Sequence, residues 1–192
     1  NSGYGIGKKN KFCDESSPLN PVSYYGKTKV MAEKIIMKNK SAICLRLATV
    51  FGSSPRMRTD LLVNNFVLKA FLDKYIVLFE SGFKRNFIHV RDVCSAIIHS
   101  IHNYKKMKNN IYNVGLSSAN LSKKELCIEI KKIIKDFIFV DSKIGKDPDK
   151  RDYIVSNKKI EKTGWRPKFD LKDGIIELIK KYNFFQVIKF DN

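Results

Sequence analysis

The sequence predicts an α/β protein, in which short strands alternate with helices along the chain. Short runs rich in Ile, Val, Leu and Phe alternate with segments whose apolar residues recur at helical spacing. Strands arranged in this way usually pair in parallel. The chain has 192 residues, of which 43% are hydrophobic, so it can bury a core without disulfide bonds. This composition excludes the collagen-like, disordered and disulfide-scaffold classes.

Each element follows from a local pattern. The first 22 residues carry Gly and Pro in turn-like positions and predict a loop, and the apolar stripe that follows predicts a helix over 23–39. Ser122 and Glu125 form a capping box at the start of another helix. Asp92 is expected to cap a further helix. The same patterns predict strands over 42–50, 75–79, 86–90, 111–114 and 137–140, and helices over 61–72 and from Asp170 onward.

The formal net charge of +18 is the unusual feature of the composition. A charge of this size is compatible with a basic nucleic-acid-binding module, which is an alternative of another class. Arginine, the residue best suited to phosphate recognition, supplies only seven of the 37 basic residues, and the lysines are dispersed. A compositional bias toward Lys, Asn and Ile therefore explains the charge better, and we expect no nucleic-acid partner.

The four cysteines are Cys13, Cys44, Cys94 and Cys127, and no Cys-x-x-Cys spacing occurs among them. This spacing predicts neither a zinc site nor a redox motif. We expect buried free thiols in a reducing cytoplasm, and no metal. The apolar runs are far shorter than the ~18 residues that a membrane span needs.

Residues 26–28, Gly-Lys-Thr, look like the end of a phosphate-binding P-loop. That loop needs a second glycine five positions before Gly26, where this chain has Pro21. The preceding residues also lack the strand that a P-loop follows. The sequence therefore excludes a P-loop nucleoside triphosphatase.

Tyr25 and Lys29 form a Tyr-x-x-x-Lys pair at the start of the first predicted helix. Residues four apart lie on one face of a helix. A tyrosine phenol, with a reference pKa of about 10, is a poor base, but a nearby ammonium favours the phenolate. Such a pair can remove a proton from a sugar or alcohol hydroxyl. A surface tyrosine beside a solvated lysine is the alternative interpretation of the motif alone.

Other segments place this motif in context. Seven segments follow one another in a recognisable order, namely Tyr4-Gly5, 14–21, 25–33, 45–52, 84–93, 112–115 and 164–167. Together they resemble the extended short-chain dehydrogenase/reductases, specifically the NAD-dependent nucleotide-sugar epimerase/dehydratase family. The resemblance extends over nearly the whole chain.

The resemblance implies a fold and a domain division. It implies the C-terminal portion of a Rossmann-like doubly wound sheet plus a small mixed α/β substrate-binding lobe. Residues 1–60 would be the remaining part of the NAD-binding Rossmann domain, and 61–192 would be largely the substrate lobe, interleaved with Rossmann strands around 86–115. The glycine-rich turn that seats the dinucleotide does not occur in this sequence. We therefore expect a fragment that is inactive by itself.

The resemblance also assigns residues to the cofactor and to the reaction. Tyr25 would be the catalytic base, and Lys29 would be its partner and would bind the nicotinamide ribose of NAD. Thr49 and Val50 match positions that lie against the nicotinamide.

A second set would bind the substrate, a nucleotide-diphosphate sugar. Thr49 would also contact the sugar, and Asn64 and Asn65 fall near the substrate-lining helix. Arg85 matches the arginine that grips the diphosphate, and Arg151 is a candidate for a second grip, since arginine forks match phosphate oxygens.

The expected activity is that of a nucleotide-sugar epimerase similar to UDP-glucose 4-epimerase. Dehydratases of the family carry Asp-Glu where this chain has Asn1 and Ser2, which favours epimerisation or simple reduction. A nucleotide-sugar reductase or 4,6-dehydratase of the same family stays as the alternative. The family also implies a cytoplasmic homodimer for the full-length protein.

Overall fold

The structure, a computed structural model, describes residues 1–8, 10–145 and 149–190, with side chains up to residue 184. Strands and helices alternate along the chain, as the sequence predicts. The strands are β1 (Phe12–Cys13), β2 (Ile43–Leu47), β3 (Thr49–Phe51), β4 (Tyr75–Phe79), β5 (Lys84–His89), β6 (Asn110–Val114), β7 (Asn120–Ser122), β8 (Ile138–Ser142) and β9 (Ile154–Val155). The helices are α1 (Tyr24–Ile36), α2 (Leu62–Leu72), α3 (Val90–His102), α4 (Tyr104–Met107), α5 (Lys123–Ile133), α6 (Lys158–Glu161) and α7 (Leu171–Phe190).

Parallel pairing dominates the strands. The pairs β1–β9, β2–β6, β3–β5 and β4–β8 are parallel, whereas β5–β7 is antiparallel. The helices between the parallel strands supply the long crossovers that such pairs require. The α/β prediction is confirmed. Among the described strands, the expectation of parallel pairing is wrong for one, the three-residue β7, which the sequence patterns did not reveal.

The strand predicted over 42–50 is in fact two strands with different partners. Arg46 and Leu47 of β2 pair with β6, whereas Thr49 of β3 pairs with β5. Between them the backbone amide of Ala48 donates to the carbonyl of Val114, 2.8 Å away, where β6 ends. The chain therefore exchanges β6 for β5 as its neighbour across a single residue, Ala48.

Two predicted helix starts have different outcomes. The capping box of α5 is confirmed, because the Ser122 hydroxyl accepts from the Glu125 amide and the Glu125 carboxylate accepts from the Ser122 amide. The prediction that Asp92 caps α3 is wrong, since the cap is His89, whose Nδ1 accepts from the Arg91 amide. Asp92 lies buried in the first turn, where its carboxylate accepts from the backbone amides of 168 and 169.

Two main clusters of buried side chains form the core. One surrounds α2, α5 and α7 and includes Phe66, Leu126 and Ile175. The other lies around β2, β6 and α3 and includes Val114 and Trp165.

The cysteines are free, as expected, but they are not all buried. Cys13 and Cys127 are buried, Cys44 is half-buried and Cys94 is exposed. The prediction of a buried thiol is therefore wrong for Cys94, which lies on the outer face of α3. Burial raises the pKa of the Cys127 thiol to about 12.

No helix within the described ranges combines the length and the apolar character that crossing a membrane would require.

Replacing Gly115 with alanine tests the packing at the end of β6. An alanine Cβ there would lie 1.7 Å from Asn86 Oδ1, so the buried amide must move. We expect Gly115→Ala to lower the free energy of unfolding by about 3 kcal/mol, as overpacked core positions do. Gly82→Ala is the control, because nothing lies within 4 Å of its Cβ position. Equal urea midpoints for the two variants would contradict this packing.

Candidate active site

Helix α1 presents the Tyr25–Lys29 pair. The helix begins after Ser23, whose hydroxyl accepts from the Gly26 amide at 3.1 Å. Lys29 Nζ lies 5.3 Å from the centroid of the Tyr25 ring. Both side chains are exposed, so the phenol and the ammonium are accessible from outside the protein. The prediction that the two residues share one face of a helix is confirmed.

This face of α1 borders a cavity of about 430 Å³. Strand β2 and the N-terminal residues 1–4 also line this cavity. The lining comprises Asn1, Ser2, Gly3, Tyr4, Leu19, Tyr25, Lys29, Val30, Ala32, Glu33, Ile36, Ile43, Cys44, Leu45, Arg46 and Leu47. We call this cavity the α1–β2 cleft.

Two arginines from other segments lie near Tyr25. Hydrogen bonding to Asp60 raises the pKa of Arg58, and Tyr25 is a further contributor in the same direction. Hydrogen bonding to Asp149 likewise raises the pKa of Arg151, again with a contribution from Tyr25. Each arginine is also paired with a carboxylate of its own segment, Arg58 with Asp60 at 2.6 Å and Arg151 with Asp149 at 2.5 Å. Arg58 was not predicted as a site residue, because its loop position in the sequence does not show which way it faces.

The two arginines predicted to grip a diphosphate lie together around one carboxylate. Arg151 donates to both oxygens of Asp149, from Nε at 2.7 Å and from Nη2 at 2.5 Å. Arg85 is 3% exposed, and its Nη2 lies 3.2 Å from Asp149 Oδ1. Burial would raise the pKa of Asp149, but the hydrogen bonds and charges of the two arginines lower it to about 2. The two arginines therefore stabilise the ionised carboxylate of Asp149.

Asn64 and Asn65 lie in the first turns of α2. The side chain of Asn64 is buried and serves the fold, since its Oδ1 accepts from the Gly52 amide and its Nδ2 donates to the Arg58 carbonyl, both at 3.1 Å. That second bond fixes the backbone of the loop that carries Arg58. Asn65 is half-buried.

Thr49 and Val50 lie on β3, opposite Phe87 and Ile88 of β5. Both are half-buried, and neither is part of the lining of the α1–β2 cleft. The structure thus brings Tyr25 and Lys29 together in the cleft and groups Arg85 with Arg151, while Thr49 and Val50 lie outside the cleft lining on the neighbouring strand β3.

The described ranges contain no group of three or more His, Cys, Asp or Glu side chains that could hold a metal ion.

Comparison with known proteins places this fold and motif in a class. The family model of the NAD-dependent epimerase/dehydratase family matches residues 2–115, which include α1 and strands β1 to β6. The chain therefore belongs to this family.

Relatives with assigned names include epimerases and dehydratases. A putative UDP-glucose 4-epimerase of Methanocaldococcus jannaschii is 30% identical over 182 residues, covering 86% of this chain and 55% of that protein. The dTDP-D-glucose 4,6-dehydratase of Homo sapiens is 28% identical over 193 residues, covering 93% of this chain and 53% of the relative. The chain thus spans about half the length of the curated relatives that it matches.

Solved structures show the same fold. The dTDP-glucose 4,6-dehydratase of Bacillus anthracis, solved in complex with NAD, is 26% identical with a TM-score of 0.77, covering 95% of this chain and 59% of that one. The UDP-glucuronic acid 4-epimerase of Bacillus cereus, at 21% identity and a TM-score of 0.80, shares the fold over 96% of this chain and 59% of its own. The prediction of a Rossmann-like α/β fold is confirmed.

Replacing Asp149 with asparagine tests the carboxylate between the arginines. Because the pKa of Asp149 is depressed in the folded state, its stabilisation is present above about pH 4 and is lost as pH falls through about 2. The side chain is 39% exposed, so screening by water limits the effect. We expect Asp149→Asn to lower the free energy of unfolding by about 1 kcal/mol at pH 7 and by less at pH 3. Urea unfolding at both pH values measures this, and an equal loss at both would contradict it.

Proposed function

We propose that the full-length protein is an NAD-dependent nucleotide-sugar epimerase in which Tyr25 is the catalytic base. The observation that carries the proposal is the Lys29 ammonium, 5.3 Å from the Tyr25 ring centroid in an open cleft. Family membership supports the reaction class. The domain division at residue 60, the cytoplasmic location and the inactivity of the isolated chain stay predictions.

The residues of the cleft fit the nicotinamide end of NAD. Lys29 is exposed and forms no ion pair within the described residues, so its ammonium is free to donate to ribose hydroxyls. When bound, NAD supplies a hydride acceptor that later returns the hydride. Lys29 and Tyr25 would hold the cofactor, and Thr49 and Val50 would contact it from β3.

Tyr25 acts on the proton. As phenolate it accepts the proton of a sugar hydroxyl while the hydrogen on the same carbon leaves as hydride, so that the C–O bond becomes a carbonyl. After the keto sugar turns over, Tyr25 gives its proton back to the carbonyl oxygen as hydride adds to the other face. Lys29, 5.3 Å from the ring centroid, supplies the positive charge beside the reacting oxygen.

The substrate is held by its diphosphate. Arg85 and Arg151 already converge on the two oxygens of Asp149, and guanidinium forks bind phosphate oxygens in the same way. Asn64 and Asn65 would line the sugar or nucleotide side from α2. A diphosphate held at one end leaves the sugar able to rotate between the two hydride transfers.

Dehydration of the nucleotide sugar is the second candidate, since the human relative is a dehydratase by name. This chain carries Asn1 and Ser2 where dehydratases of the family have their acid and base, which favours epimerisation. NMR of the product distinguishes the two, because dehydration yields a 4-keto-6-deoxy sugar and epimerisation conserves the formula.

Replacing the Tyr25 hydroxyl tests the base. We expect Tyr25→Phe in the full-length protein to lower kcat by about 10³-fold, because proton transfer loses its acceptor. Binding of the nucleotide sugar, measured by calorimetry, should persist. Tyr24→Phe is the matched control, because Tyr24 is the neighbouring tyrosine and also has a lysine, Lys27, 5.8 Å from its ring. Tyr25→Phe with turnover equal to that of Tyr24→Phe would remove Tyr25 from this role.

A homodimer is proposed through the outer face of α1. Tyr24, Met31 and Ile35 are exposed, and their spacing places them together on a face turned away from Tyr25. An exposed apolar row of this kind suits a helix–helix interface.

We expect Ile35→Asp to convert the full-length dimer to a monomer, measured as a halved mass by light scattering. Ile98→Asp is the control, because Ile98 is similarly exposed but lies on α3. Retention of the dimer by Ile35→Asp would exclude α1 as the interface.

A further inference from the structure

A third residue shares the helix face of Tyr25 and Lys29. Glu33 follows Lys29 by four residues, so its carboxylate lies one turn further along the same side of α1. Glu33 is also the only acidic residue among the described residues that line the α1–β2 cleft. A lysine and a glutamate at this spacing attract each other on an open helix. Glu33 is therefore placed to compete with Tyr25 for the ammonium of Lys29.

Arg46 binds both oxygens of the Glu33 carboxylate. From β2, Arg46 donates to Glu33 Oε2 from Nε at 2.8 Å and to Oε1 from Nη2 at 2.7 Å. Both side chains are nearly buried, at 10% and 14% exposure. This two-pronged pair satisfies both oxygens, and the Lys29 ammonium lies over the Tyr25 ring instead.

Arg46 is itself fixed from a second side. Its Nη1 donates to the Tyr4 hydroxyl at 2.9 Å and to the Glu15 carbonyl at 3.3 Å. The Tyr4 hydroxyl lies 2.7 Å from Asn113 Oδ1 on β6. Burial opposes the charge of Arg46, but its hydrogen bonds to Glu33 and Tyr4 raise its pKa above the ordinary value. The guanidinium therefore cannot swing away from Glu33 without breaking contacts to three segments.

We infer that Arg46 is a positioning residue that sequesters the Glu33 carboxylate and so reserves the Lys29 ammonium for Tyr25. This inference rests on the proposed role of Tyr25 as the base. Arg58 and Arg151, the other charges that interact with Tyr25, are each paired with a carboxylate, Asp60 and Asp149, whereas Glu33 is the acidic residue that lines the cleft beside Lys29.

The test is the pH dependence of kcat in the full-length protein. Lysine can hold only one carboxylate oxygen, so Arg46→Lys leaves the other free to attract Lys29. We expect kcat to fall about tenfold and the acidic limb of the profile to move up by about one pH unit, because the base needs a higher pH to lose its proton. KM for the nucleotide sugar should change little, since Arg85 and Arg151 are untouched.

A second substitution separates electrostatics from structure. Arg46→Lys/Glu33→Gln removes the competing charge, and we expect the acidic limb to return to its wild-type position with most of kcat regained. If Arg46→Lys yields no folded protein, Arg46→Met/Glu33→Met removes both charges as an apolar pair. The acidic limb of the kcat profile of Arg46→Met/Glu33→Met must coincide with that of the wild type. Lys132→Met, which breaks the exposed pair with Glu129 on α5, is the control for a lost ion pair elsewhere.

Two outcomes would overturn the inference. The first is a pH profile of kcat for Arg46→Lys whose acidic limb coincides with that of the wild type. The second is a profile for Arg46→Lys/Glu33→Gln whose acidic limb stays displaced to higher pH. Failure of the proposed function is recognised separately, because Tyr25→Phe would then retain activity.

Discussion

The arrangement of this chain depends on a buried polar network that joins helix α1 to the strands beneath it. Arg46 binds Glu33 of the helix and the hydroxyl of Tyr4, and Tyr4 in turn meets Asn113 of β6. An unpaired guanidinium at this depth would be strongly destabilising, so every partner must be present together. The network therefore fixes how far α1 can rotate or slide, and with it the direction in which Tyr25 faces.

The basic side chains of this protein differ in how they are distributed. Most of the lysines that contribute to +18 are dispersed over the surface. Lys29, by contrast, lies 5.3 Å from the centroid of the Tyr25 ring, and Arg85 and Arg151 share the carboxylate of Asp149. These two local groupings support the proposal that an anionic substrate is held beside Tyr25.

Much of the fold could be predicted because its signals are local. The capping box at Ser122 and the i, i+4 spacing of Tyr25 and Lys29 need no tertiary information, and both are confirmed. Asp92 was misassigned because its partners are backbone amides 76 and 77 residues away. Two-residue strands such as β1 and β9, and the four-residue helices α4 and α6, are too short for periodicity to show. The pairing of Arg46 with Glu33 likewise depends on how α1 packs against β2, which no sequence motif encodes.

The most direct test of the account is a crystal structure of the full-length protein with NAD and a nucleotide sugar. We expect the Tyr25 hydroxyl to lie within about 3 Å of the sugar hydroxyl at the carbon to be inverted, with Lys29 beside the nicotinamide ribose. A substrate bound with its sugar well away from Tyr25, and with another side chain at the reacting hydroxyl, would contradict it.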